Sequence, residues 1–201
     1  MDNKIIYILG KSGSGKNTIY RLLFGNLSIK IPLRPITMCT TRPKRYGEKN
    51  GVDYFFVSDS DFENDKRNNE IIEYREYNTV HGKWIYYTKN SLINLKESNY
   101  IGIGTPKSFK DLENVYGKKK MVPIYIDTIN DYSRLLRCIK REMQNKNQNY
   151  KEICRRFLAD EEDFSDNILS DINPFVSINQ SQVECAMEIY NYLKQNYFPA
   201  L

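Results

Sequence analysis

Apolar positions along the chain follow two rhythms. Short continuous runs at Ile5–Leu9, 101–103, 122–126 and Phe175–Ile178 read as buried strands. Between them lie helical periodicities at 15–24, after Pro106, and in the final stretch, where Val183, Met187, Tyr190 and Leu193 would share one apolar face. Strand and helix in alternation predict a parallel sheet flanked by helices. The middle of the chain breaks the pattern. From 36 to 87 the runs are short and rich in Tyr, Phe and Thr, notably 52–57 and 71–77, which predicts an antiparallel or mixed insertion. From 131 to 164 the helices are long and polar and carry Arg134, Arg137, Arg141, Arg155 and Arg156, with a break at 144–149, the signature of a mobile lid. No internal repeat is present. The resulting division is a core of 1–34, 97–132 and 166–201, a substrate lobe of 35–96 and a lid of 133–165.

A chain of 201 residues, 40% hydrophobic, can bury one substantial core and a small lobe, but not two large independent domains. Its 30 basic and 25 acidic residues describe a mixed solvated surface; the charge of +5 suits an anionic substrate and gives no ground for nucleic-acid binding. No apolar run approaches the roughly 18 residues of a membrane helix and no leader pattern is visible, so the expectation is a cytoplasmic protein without membrane contact. Cys39, Cys138, Cys154 and Cys185 lack the close pairing of a zinc site and are expected to be reduced thiols in or near the core.

The chemistry begins at Gly10-Lys11-Ser12-Gly13-Ser14-Gly15-Lys16, set between the first strand and the first helix. Closely spaced glycines let backbone N–H groups turn inward around an anion, the helix adds its positive end, and Lys16 adds an ammonium. This is a cradle for the phosphates of a nucleoside triphosphate. The Ser or Thr that usually follows the lysine and helps to hold Mg²⁺ is replaced by Asn17, with Thr18 next. Metal ligation is therefore open between the Asn17 amide oxygen and an ion held by water and phosphate alone.

A second constellation follows: Thr40-Thr41-Arg42-Pro43-Lys44-Arg45, Gly47-Glu48, and Gly51-Val52-Asp53-Tyr54-Phe55-Phe56-Val57-Ser58. Arg42 and Arg45, three residues apart and accompanied by Tyr54, can clamp a phosphomonoester through charge-assisted hydrogen bonds. Glu73, in Ile71-Ile72-Glu73-Tyr74, alternates onto the same strand face as Arg75. Read alone it is an exposed carboxylate paired with Arg75.

Together these stretches resemble guanylate kinase, a branch of the P-loop nucleoside monophosphate kinases, over most of the chain. The resemblance implies a P-loop NTPase-type α/β fold with a mixed β insertion that binds GMP and a helical lid. It implies transfer of the ATP γ-phosphoryl group to GMP or dGMP, with Mg²⁺ accompanying ATP. By the same comparison Gly10 to Thr18 would hold ATP, Arg42, Arg45 and Tyr54 the GMP phosphate, and Glu73 the two donors of the guanine edge. Lys16 with Arg137, Arg141 and Arg156 would supply catalytic charge, Arg134 and Arg155 facing solvent. Tyr86, Tyr87 and Thr88 stand in for the family's Tyr-Tyr-Gly-Ser/Thr segment, in a register the letters leave open. A second departure is Ile101-Gly102-Ile103-Gly104, where the family carries acidic residues; the glycines would allow a ligand to approach the backbone. His81, the sole histidine, is expected to have no proton-transfer role, because phosphoryl transfer depends on positioning and charge neutralisation. The chain would act as a monomer or homodimer on ATP and GMP. Two alternatives stand beside this reading: a guanylate-kinase-like binding module without catalysis, and a P-loop kinase for another small phosphorylated metabolite.

Overall fold

The computed structural model describes residues 2–25, 31–45, 47–79, 82–144 and 148–199. His81 and the centre of the 144–149 break lie outside the described residues. Strand β1 (Ile5–Leu9) is buried along its whole length and leads through the glycine loop into α1 (Lys16–Gly25). Next come β2 (Leu33–Pro35), β3 (Cys39–Thr40), β4 (Phe55–Phe56), α2 (Asp59–Arg67), and the long hairpin β5 (Ile71–Thr79) and β6 (Gly82–Lys89). The chain then runs through β7 (Asn99–Gly104), α3 (Pro106–Tyr116), β8 (Met121–Asp127), α4 (Asp131–Glu142), α5 (Tyr150–Asp163), α6 (Asp166–Ile172), β9 (Phe175–Ile178) and α7 (Gln182–Tyr197).

Five strands form a parallel sheet in the order β2-β7-β1-β8-β9. Alternation along β1 sends Ile6 and Ile8 toward Ile19, Leu23, Ile189 and Leu193 of α1 and α7, and Ile5, Tyr7 and Leu9 toward Phe109 and Leu112 of α3. Helices thus cover both faces, as an all-apolar central strand requires. The second sheet, β4-β3-β6-β5, is mixed: β3 pairs with β4 in parallel and with β6 antiparallel. Its own small core is Cys39, Phe62, Ile85 and Tyr87. Local chemistry fixes the helix starts. Ser58 with Asp61 and Thr105 with Ser108 form capping boxes for α2 and α3, and Pro106 opens α3 where no backbone donor is needed.

Three sequence expectations need correction. The run 52–57 contributes only Phe55–Phe56 as strand; Gly51 donates to the Tyr54 carbonyl at 2.8 Å with φ +76°, making a turn that leaves Val52 68% exposed. On α7 the buried stripe is Cys185, Ala186, Ile189, Tyr190 and Leu193, so Val183 and Met187 of the expected face are exposed. Cys185 and Ala186 are small and let α1 pack closely, which turns the helix away from its larger apolar residues. Cys154 is exposed on α5, whereas Cys39, Cys138 and Cys185 are buried free thiols. No helix among the described residues is long and apolar enough to cross a membrane.

Candidate functional site

The glycine loop closes tightly at the end of β1. Ser14 N–H donates to the Lys11 carbonyl at 3.1 Å, and Gly13 and Gly15 take φ of +81° and +92°, where side chains are strained. A Cβ on Gly13 would lie 2.5 Å from the Arg134 carbonyl and 2.9 Å from Cys138 Sγ, so α4 rests directly on the loop. A Cβ on Gly15 would collide with the amide of Asn179, which donates to the Ser14 carbonyl at 2.7 Å from the end of β9. Asn179 is buried and braces the loop from beneath, a role with no sequence signal beyond its place after the last strand.

Lys16 Nζ donates to the Lys11 carbonyl at 3.2 Å, folding the ammonium back over the loop. Burial is the main cause that depresses its pKa to about 8; Arg141 and Arg134 add to the depression and Asp160 opposes it. Lys11 reaches Glu161 Oε2 at 2.8 Å, and Ser12 N–H donates to Asp160 Oδ2 at 2.7 Å. Two carboxylates of α5 therefore sit on donors of the loop. Asn17 and Thr18 are exposed at the start of α1.

The arginines divide differently from expectation. Arg137 approaches the Gly13 and Asn179 carbonyls at 3.4 and 3.5 Å, and Arg141 lies close enough to Lys16 to depress its pKa. Arg156 and Arg155 both bind Glu152 on their own helix, at 2.7 and 2.8 Å, and hold its carboxyl down at about 2, chiefly through Arg155. Arg134, expected in solvent, is 1% exposed. It binds Asp131, Asp160 and Glu161 at 2.9, 3.2 and 2.6 Å and stacks on Phe157 at 3.9 Å. Its neighbours along α4 gave no hint of this, because beyond Asp131 on its own helix the partners come from α5, across the break.

In the second sheet Arg42 is 3% exposed and grips Glu48 through two bonds of 2.7 and 3.0 Å. It also donates to Tyr86 Oη at 3.1 Å and to the Pro43 carbonyl at 2.8 Å, and its guanidinium lies 5.4 Å from the Tyr54 ring centre. Glu48 additionally accepts from Arg45 N–H at 2.7 Å, tying the loop's two arginines to one carboxylate, while the Arg45 side chain is exposed. Glu48 went unassigned in the sequence; the Gly47 turn that folds it back, at φ +84°, was its signal.

Register across the hairpin sorts the remaining residues. Glu73 faces Thr88 and Arg75 faces Tyr86, placing these four on one side with Tyr54. Thr88 donates to Glu73 Oε1 at 2.8 Å, and Glu73 is 3% exposed, not the exposed carboxylate its letters suggest. Tyr87 is the correction to the expected set. Period-two alternation sends it to the opposite face, where it packs on Phe62 and donates to Asp65 at 2.7 Å.

The glycines of β7 serve another purpose than ligand approach. A Cβ at Gly102 would lie 2.7 Å from two Tyr7 ring carbons, and one at Gly104 would overlap the Tyr7 hydroxyl. That hydroxyl bonds Ser108 Oγ at 2.8 Å, and burial pushes its pKa up to about 12. Tyr7 therefore fills the space that side chains at 102 and 104 would occupy.

A sequence model of the family described as guanylate kinase matches residues 2–172. The chain belongs to the guanylate kinase family. Among relatives, the guanylate kinase of Mycoplasmopsis pulmonis is 42% identical over 73 residues, 36% of each chain. That of Mesoplasma florum is 34% identical over 126 residues, 62% of this chain and 34% of the relative. The chain thus spans about a third of the length of the curated relatives it matches. A crystal structure of guanylate kinase from Anaplasma phagocytophilum superposes with a TM-score of 0.65 at 19% identity, covering 97% of this chain and 87% of that one, a likeness of fold.

Proposed function

We propose that this guanylate kinase family chain transfers the γ-phosphoryl group of ATP to GMP or dGMP, giving ADP and GDP. The observation that carries the reading is the pairing of a glycine cradle around Lys16 with a buried Arg42 and Glu73, flanked by the half-buried Tyr54 and Tyr86, on the adjoining lobe. The division into core, acceptor lobe and lid follows from it. Arg21 of α1 reaches Asp53, beside Tyr54, at 4.0 Å, which supports a shared cleft.

In this reading Gly10 to Thr18 wrap the triphosphate, and Arg42, Arg45 and Tyr54 hold the acceptor phosphate, with Tyr86 extending the set and Glu73 with Thr88 meeting the base. An oxygen of the acceptor phosphate attacks the γ-phosphorus, the bond from that phosphorus to the β-bridging oxygen breaks, and ADP leaves with the electron pair. No base is required; charge must be surrounded and the oxygens aligned. Lys16, Arg137 and Arg141 supply that charge, and Arg156 joins them on leaving Glu152. Among the described residues no group of three His, Cys, Asp or Glu forms a metal cage. Mg²⁺ would accompany ATP, with the exposed Asn17 as the residue able to offer an amide oxygen, and would neutralise phosphate charge.

A steady-state assay with GMP, dGMP, AMP, UMP and CMP as acceptors tests the proposal, with turnover expected for the guanine nucleotides. Turnover confined to a different nucleotide rejects the Glu73 assignment. Tight binding of GMP with no turnover supports a binding module instead.

A further inference from the structure

Arg75 has no part in the mechanism above, yet it is largely buried in the same cleft. Its Nε lies 3.4 Å from Glu73 Oε2, and neither atom has a hydrogen-bond partner. Glu73 is fully enclosed as a side chain and Arg75 is 14% exposed. A second nitrogen of Arg75 touches Met38 Sδ at 3.2 Å, which fixes the guanidinium in place. A charge contact that leaves an orphaned acceptor and an orphaned donor side by side, both desolvated, is costly unless a ligand completes it.

The order of polar atoms says which ligand. Along this wall stand Glu73 Oε1, which already accepts from Thr88, then Oε2 with no partner, then the Arg75 Nε–H. That is acceptor, acceptor, donor, the sequence of groups that cytosine presents to guanine in a base pair. A guanine edge offers the complement: exocyclic amino donor, ring N–H donor, O6 acceptor. Adenine reverses the last two and would meet like with like.

Resting on the guanylate reading above, we infer that Arg75 is a specificity residue that donates to O6 of the acceptor guanine, with Glu73 taking the two N–H groups beside it. The charge contact between them then becomes the backbone of a three-point readout. Loss of the donor removes discrimination at O6 alone.

Calorimetric titration of the full chain with GMP, IMP, 6-thio-GMP and AMP separates these contacts. Sulfur at position 6 weakens only the O6 acceptor, and IMP lacks only the 2-amino group. The wild type should prefer GMP over 6-thio-GMP by about tenfold, as for a charge-assisted hydrogen bond. In Arg75→Met that ratio should fall to within about twofold of unity while the preference for GMP over IMP persists. Equal weakening of all guanine-type ligands in a folded variant would mean that Arg75 merely neutralises Glu73, and would overturn the inference. So would a wild type that binds GMP and 6-thio-GMP alike, a measurement that needs no variant. A wild type that prefers AMP to GMP fails the guanylate reading itself, a result distinct from either.

Discussion

Lys16 carries the clearest pH dependence in the molecule. Its pKa in the free protein, about 8, lies below the ordinary lysine value because its ammonium is desolvated beside other cations. The charged form is thus disfavoured by the fold, so this residue's contribution to stability rises as pH increases from about 8 toward the ordinary value. The triphosphate of the proposed reaction would demand the opposite state. ATP affinity should hold steady below about pH 8 and weaken above it by up to about tenfold per unit, with proton uptake on binding. Calorimetry in two buffers of different ionisation enthalpy measures that uptake, and a flat profile with no buffer dependence would contradict it. Lys16→Arg, which cannot lose its charge in this range, should flatten the profile. The tight loop around this lysine was legible in the sequence because the glycine spacing sets its turns. Arg134 was not, since its burial depends on Asp160 and Glu161 arriving from another helix. Glu73 and Arg75 could be placed on one strand face by alternation, but nothing in the letters told that both were enclosed.

At the scale of elements, α5 interferes with the loop it overlooks. Asp160 accepts from Ser12 N–H and binds Arg134, while Glu161 binds Lys11. In the proposed reading phosphate oxygens need the same donors, so a triphosphate would displace these carboxylates as it enters. Asp160→Ala should therefore tighten ATP binding by about tenfold without altering GMP binding. Unchanged or weaker ATP binding, measured by calorimetry, would show that the contact does not compete. Four strands of the parallel sheet were readable because β1, β7, β8 and β9 each carry a short apolar run, whereas β2, Leu33-Arg34-Pro35, offers none. The second sheet was read less well. Its β3 and β4 are each two residues long and leave no periodicity to detect, and α2 carries a single buried residue, Phe62. The α7 face was misplaced because packing against α1 favours small residues over large ones.

In the proposed reading the whole molecule joins two anion-binding groups on separate sheets, and they should fail separately. Lys16→Ala should weaken ATP binding by at least about tenfold and leave GMP binding within about twofold, with Arg42→Ala doing the reverse. Loss of both ligands in either folded variant would argue for a single shared site. Arg42→Ala also strands Glu48, so its thermal midpoint should fall, and binding is compared well below that midpoint.

The Tyr7 ring wedged against two bare positions of β7 also constrains how this chain can change over time. A carboxylate at 102 or 104 meets the phenol before it meets solvent, an overpacking that costs about 1–3 kcal/mol. Shrinking Tyr7 first opens a cavity and removes the phenol's bond to Ser108. Either first step is penalised and only the pair is compatible, so the three sites are bound in epistasis. Exchanges among homologues at these places should come as sets, not singly.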